Sequence, residues 1–176
     1  GLGDVYKRQV YPCGLIANSV FNDTFTSPIM LDEGGNKIST YNMSEKNIIW
    51  QSEYKHYKTP TYNVSEIMPP PFWQGAEGPF GQPSGRYEEG KVFDPSKNEH
   101  FQVWMRTAAF PHFRKLYMRN DNDPMTVGRY SIEIEDNYPV NMFHGTKAIV
   151  LSTASWVGGR STVSYTHLTL PTILLV

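Results

Sequence analysis

Cysteine is almost missing from this chain. One, Cys13, stands among 176 residues, so no disulfide closes within the sequence and no cysteine-built zinc site has a signature. An excess of one charge is missing too. Sixteen basic and 17 acidic residues leave a net charge of −1, and no sequence-wide field draws nucleic acid or an anionic membrane. Long apolar runs are absent. The longest, near Leu168 to Val176, is broken by Thr169, Pro171 and Thr172 and falls far short of the ~20 residues that cross a bilayer. The N-terminal residues lack the apolar centre of a signal peptide. There are no internal repeats, no Gly-x-Ser-x-Gly and no phosphate-cradling glycine loop; Gly158-Gly159-Arg160 has neither the lysine nor the spacing of one.

What the chain does have is rings and breakers. Eleven Tyr and nine Phe lift the aromatic share to 14%, which favours strands over helices. Thirteen Pro and 14 Gly punctuate the chain too often for a helical bundle. At this length one domain with a real core is expected. Ile16 to Phe25 reads as a short helix or a strand, ended at Ser27-Pro28. Asp32 to Lys37 reads as a turn and Lys46 to Gln51 as a short strand. Tyr54 to Gly90 reads as a long ordered loop, packed down by Phe72, Trp73 and Phe80, with Pro69-Pro70-Pro71 in polyproline II. Phe101, Val103 and Met105 alternate with Gln102, Trp104 and Arg106, a period-2 strand pattern, resumed from Phe113 to Met118. Asp121 to Pro124 is a turn. Tyr130, Ile132 and Ile134 alternate with Ser131, Glu133 and Glu135, the cleanest half-buried strand pattern in the chain. Lys147 to Ser155 reads as a further strand. The expected fold is mainly β, with antiparallel strands in two packed sheets, long loops, and one or two short helices.

Candidate chemistry is sparse. Histidines 56, 100, 112, 144 and 167 show no His-x-x-x-His or His-Glu-x-x-His spacing, so each reads as solvated or structural and no metal site is expected. Glu133 and Glu135 share one strand face. Paired carboxylates serve glycoside hydrolysis, but this is the face a half-buried strand turns to solvent. Three acceptor triplets lack proline at the middle position: Asn22-Asp23-Thr24, Asn42-Met43-Ser44 and Asn63-Val64-Ser65. They carry sugar only in a chain that passes through the secretory lumen. A luminal chain with a lone cysteine implies a partner elsewhere or a free thiol; one with neither signal nor anchor reads as a piece of something longer. Arg106, Arg114, Lys115 and Arg119 are interleaved with Trp104, Phe110, Phe113 and Tyr117. Such mixtures bind nucleic acid or make protein interfaces, and without net positive charge the interface is favoured.

The ends share no pattern with the middle. Gly1 to Gln9 and Ser164 to Val176 look like translated adapter sequence. Residues 1–9 and 161–176 are therefore set aside as non-native, and 10–160 read as the domain.

Three blocks in order resemble the cell-division-control-fifty / ligand-effect-modulator family. They are Pro12 to Thr24 (PCGLIANSVFNDT), Val103 to Tyr117 (VWMRTAAFPHFRKLY), and Asn137 to Val140 (NYPV) running on to Ile149 to Gly159 (IVLSTASWVGG). Members are the non-catalytic β subunits of type IV P-type ATPases, the phospholipid flippases, and the tyrosine- and proline-rich middle is most like fungal members. The resemblance implies two membrane helices around a glycosylated, disulfide-bonded luminal ectodomain that is mostly β. It places this piece late in the ectodomain, with the second membrane helix expected soon after Arg160, where the tail replaces it. It pairs Cys13 with a cysteine upstream of this piece, matches Asn22 to a family acceptor, and assigns no catalysis, cofactor or nucleic acid to the chain. It implies a hetero-dimer with the ATPase, chaperone-like export from the endoplasmic reticulum, and residence there, in the Golgi, in endosomes or at the plasma membrane. The expected contact residues are Trp104, Arg106, Phe113, Arg114, Lys115, Tyr117, Trp156, Gly158 and Gly159. Rival readings are a secreted β-sandwich glycoside hydrolase using Glu133 or Glu135, and a lectin-like luminal module.

Overall fold

The computed structural model describes residues 8–75, 78–80, 84–110, 112–154 and, for the backbone alone, 170–175. In chain order the elements are β1 (Gln9–Val10), α1 (Leu15–Asn18), β2 (Thr24–Phe25), β3 (Ile29–Leu31), β4 (Lys37–Thr40), α2 (Gln51–Tyr54), β5 (Ile67–Met68), α3 (Glu99–Met105), β6 (Lys115–Arg119), β7 (Arg129–Ser131), β8 (Ile134–Glu135), β9 (Ile149–Ala154) and β10 (Leu170–Leu175). Short 3₁₀ turns stand at Pro71–Trp73, Pro95–Lys97 and Asn141–Phe143. The chain is mainly β with few, short helices. Where two packed sheets are expected, the described strands fall into four small ones: β1-β5, β6-β10-β9, β2-β8 and β4-β3-β7. Every pairing is antiparallel except β1 with β5.

The chain divides into two compact units. The first takes Gly1–Asn22 and Ile49–Thr107. Its core is Ala17, Val20, Ile67, Trp73, Tyr87, Phe93 and Phe101. Trp73 is fully enclosed. Its ring meets Phe80, Phe93 and Phe101 edge to face, at centroid distances of 4.6, 4.8 and 5.9 Å, the arrangement aromatic quadrupoles prefer. Its indole N–H donates to the Ala17 carbonyl at 3.0 Å. The long loop is thus ordered as expected, but by Trp73 and Phe80; Phe72 points outward, 62% exposed. Pro69 and Pro70 are buried beside it. Pro70 is extended before Pro71 opens a 3₁₀ turn, so the polyproline stretch is shorter than expected.

Residues 99–105 are a helix, not the expected strand. Asn98 caps it, its side-chain oxygen accepting from Phe101 N at 2.8 Å. The same residues that alternate also place Phe101, Trp104 and Met105 at i, i+3 and i+4. Over so short a window the two periods overlap, and the cap decides. Likewise 46–50 form no strand: Ile48 and Ile49 are buried in irregular backbone, and α2 starts at Gln51.

The second unit takes Asp23–Ile48 and Ala108–Val176. β3 and β4 form a hairpin closed by residues 32–36. Asp32 accepts from the Asn36 backbone N–H at 2.7 Å, and Gly35 takes φ +83°, a conformation open to glycine. β6 and β9 each pair with the backbone of β10. The expected single strand through Tyr130 and Ile134 is split. β7 pairs with β3, β8 pairs with β2, and Ile134 is 50% exposed. Its alternation breaks because the segment passes from one small sheet to another.

Two buried polar residues pin this second unit. Asp23 accepts from the backbone N–H groups of Asn137 and Tyr138 at 2.7 and 2.6 Å and pairs with Lys147. Lys147 also reaches Asp136 and the Tyr138 carbonyl. Burial alone pushes the ammonium pKa down, but Asp136 and Asp23 outweigh it and hold it above its ordinary value. Asn120 accepts from Asn122 N and Asp123 N and donates to the Asn42 carbonyl, fixing the 120–123 turn.

Candidate partner-binding surface

The expected contact segment runs across the boundary of the two units, between Thr107 and Ala108, so its residues form two groups. In the first unit, Trp104 is half-buried. Its indole N–H donates to the Ile16 carbonyl at 2.9 Å, and its ring stacks on Phe21 at 5.9 Å. Arg106 follows α3 and pairs with Glu53, so much of its charge is already matched. Both therefore hold the unit together as well as facing outward. Beside Trp104, α1 turns Ala17 inward and leaves Leu15 86% and Ile16 43% exposed, and Phe72 binds back to Asn18 through its N–H. This apolar group was not among the expected contacts. Its only sequence signal is a four-residue helix, Leu-Ile-Ala-Asn, with too few positions to bury more than one side.

In the second unit, Phe110 is 75% and Phe113 39% exposed, and Arg114 is exposed. Lys115 sits over the Phe113 ring, 5.7 Å from its centroid. Tyr117 is different: it is buried against Phe25, the rings meeting at 84°. Burial pushes its hydroxyl pKa up to about 12, with Glu45 adding to the effect. It is core, which corrects its place among the contacts. Tyr117 and Met118 are the two buried residues of β6. Trp156, Gly158 and Gly159 lie outside the described residues.

Asn42 and Asn63 are exposed, and Asn22 is half-buried. Cys13 is exposed and carries a free thiol. Glu133 and Glu135 are exposed, and Glu135 accepts the Thr24 hydroxyl at 2.6 Å. Among the described residues no group of His, Cys, Asp and Glu is arranged to hold a metal ion, and no helix is long and apolar enough to cross a membrane.

A family model described as the LEM3 (ligand-effect modulator 3) family / CDC50 family matches residues 3–176. A Chaetomium thermophilum protein named phospholipid-transporting ATPase accessory subunit CDC50 is 43% identical over 156 residues, 88% of this chain and 37% of that protein. Accessory subunit CRF1 of Saccharomyces cerevisiae is 41% identical over 89% of this chain and 38% of its own length. Mouse cell cycle control protein 50A is 36% identical over 88% of this chain and 44% of its own. The chain thus spans less than half the length of these relatives.

Proposed function

This chain belongs to the LEM3 / CDC50 family, and on that premise we propose that it is part of the non-catalytic accessory subunit of a phospholipid-transporting P-type ATPase. The observation that most supports this reading is the identity of 41–43% to fungal proteins named as such subunits, along 88–89% of the chain. The rival hydrolase reading needs a built carboxylate pair, and Glu133 and Glu135 stand on an exposed surface. The chain itself carries no catalysis. It acts as a luminal or extracellular piece of a membrane protein that grips the ATPase. A subunit that binds only the folded pump stabilises it by mass action, which accounts for a role in export from the endoplasmic reticulum. If it binds one transport conformation better, it shifts that equilibrium by the difference in affinity. Cys13 is available for a disulfide with a cysteine outside this chain, and Asn22, Asn42 and Asn63 for glycans.

The contact surface is assigned to Phe110, Phe113, Arg114 and Lys115, with Leu15, Phe72 and Trp104 as a separate apolar site. Exposed aromatics and arginine are the usual anchors of stable interfaces, which bury on the order of 1,200 Å² or more. The test is co-purification of the full-length subunit with its ATPase. Phe113→Ser with Arg114→Ala should lower recovery about tenfold, the effect of losing roughly 1.4 kcal/mol, at normal subunit expression. Unchanged recovery removes this segment from the interface.

A further inference from the structure

A cleft of about 520 Å³ opens in the first unit between residues 59–64 and 89–97. That volume lies within the ~300–1,000 Å³ of small-molecule sites. Asn63, the acceptor of the third triplet, is itself part of the wall, together with Tyr62, Glu89, Val92, Asp94 and Lys97.

Asn63 closes an Asx turn. Its side-chain oxygen accepts both the backbone N–H of Ser65, at 3.0 Å, and the Ser65 hydroxyl, at 2.9 Å. The amide nitrogen, where a sugar would attach, makes no hydrogen bond among the described residues. The other two triplets differ. Thr24 gives its hydroxyl to Glu135, and Asn22 is half-buried. The Ser44 hydroxyl turns to Lys46, and Asn42 is not part of this wall.

The wall chemistry is that of a carbohydrate seat. Tyr62 is 54% exposed and its ring is braced at 5.1 Å by Tyr11, so it offers a fixed apolar face to sugar C–H groups. Val92 extends that face. Glu89 is an acceptor for hydroxyl groups. Asp94 Oδ1 is taken by Ser96, at 3.0 Å from its N–H and 2.6 Å from its hydroxyl. Asp94 Oδ2 is enclosed, accepts no hydrogen bond, and lies 3.5 Å from the Lys97 ammonium.

We propose that this cleft seats the first sugar, an N-acetylhexosamine, of a glycan carried on Asn63. The proposal rests on the luminal placement given above. Attachment is a transfer from an oligosaccharide bearing a pyrophosphate leaving group: the sugar C1–O bond breaks, a C1–Nδ2 bond forms, Nδ2 gives up one proton, and the pyrophosphate departs. Once attached, the sugar is held at high effective concentration, so contacts too weak to capture a free sugar suffice.

The test uses the full-length subunit, co-expressed with its ATPase in a fungal host. Glycopeptide mass spectrometry reads occupancy at Asn22, Asn42 and Asn63. An endoglycosidase that cuts between the first two core sugars then reads protection. Release at Asn63 should be at least about fivefold slower from the folded protein than from the denatured one, the factor that one ordinary contact makes. Tyr62→Ala, and separately Glu89→Gln, should erase most of that lag while leaving Asn63 occupied. Equal native and denatured rates, or a lag that both variants keep, overturn the seat. Asn63 bare while Asn42 or Asn22 is occupied overturns the seat alone. Three bare asparagines overturn the luminal placement with it.

Discussion

In the unit of Gly1–Asn22 and Ile49–Thr107, four of the seven buried core residues are aromatic, Phe93 and Phe101 packing on Trp73, and the only strand pair among the described residues is the two-residue β1-β5. In the unit of Asp23–Ile48 and Ala108–Val176, three small sheets run through the described residues. Among its described residues the buried apolar ones are Phe25, Pro28, Ile48, Tyr117 and Met118, and the buried polar ones are Asp23 and Asn120. The first unit orders long loops by non-directional apolar packing, which asks nothing of backbone geometry. The second relies on ladders and on carboxylate and amide knots that satisfy backbone N–H groups where ladders end. The lesson is that a proline-rich stretch with no periodicity can carry a well-packed core.

Truncating the centre of the first unit tests that contrast most severely. Trp73→Ala removes a fully enclosed ring and should cost about 3–5 kcal/mol. Hydrogen exchange on the full-length protein should show amides of 49–107 losing protection while those of 115–119 and 129–135 keep theirs. Equal loss in both sets would mean the two units unfold as one.

Asp23→Ala is the matching blow to the second unit. It removes the acceptor of the Asn137 and Tyr138 N–H groups and weakens the hold on Lys147, so about 2–3 kcal/mol is expected, the upper part of the range for buried groups that lose a partner. Lys147 retains Asp136 and partial solvent, which keeps the loss below that of a fully enclosed charge. Protection should now fall in 129–147 first. A urea midpoint unmoved by Asp23→Ala would make the knot ornamental and leave the ladders alone responsible.

Alkaline pH gives the gentlest test. Burial pushes the Tyr11 hydroxyl up to about 12, and burial with Tyr11 beside it pushes Tyr87 higher still; the second unit has Tyr117. In the unfolded chain these groups ionise near 10, while in the folded chain they stay protonated. Their contribution is therefore whole below pH 10 and is lost as pH rises through about 12. The first unit, which holds two of these three groups, should open first, read as a falling urea midpoint between about pH 10 and 12 with absorbance reporting tyrosinate. No change in that window would mean these tyrosines ionise in place.

Parts of this were legible early. The 32–36 turn needs Asp, Gly and Asn at fixed offsets, and the chain supplies them locally. β6 and β9 lie where apolar residues stand between turn signals, and both formed. The loop anchor Trp73 was legible because a tryptophan among prolines has little else to do than pack. The helix at 99–105 was not, because Phe101, Val103 and Met105 satisfy both periods and the deciding cap, Asn98, is one residue outside the pattern. Tyr117 was misread as surface because basic neighbours on either side hid its inward turn.

By itself, the sequence determined the class of fold, the family, the acceptor triplets and the isolation of Cys13, since each is written in residue type and local spacing. Only the tertiary structure decided that the Arg106 to Tyr117 segment straddles two units, that Asp23 is a buried tie and not just the middle of a triplet, and that Asn63 borders a cleft. Those facts depend on which distant segments meet, through pairings such as Asp23 with Lys147 and Tyr11 with Tyr62, and burial and charge partners exist only after the chain has closed on itself.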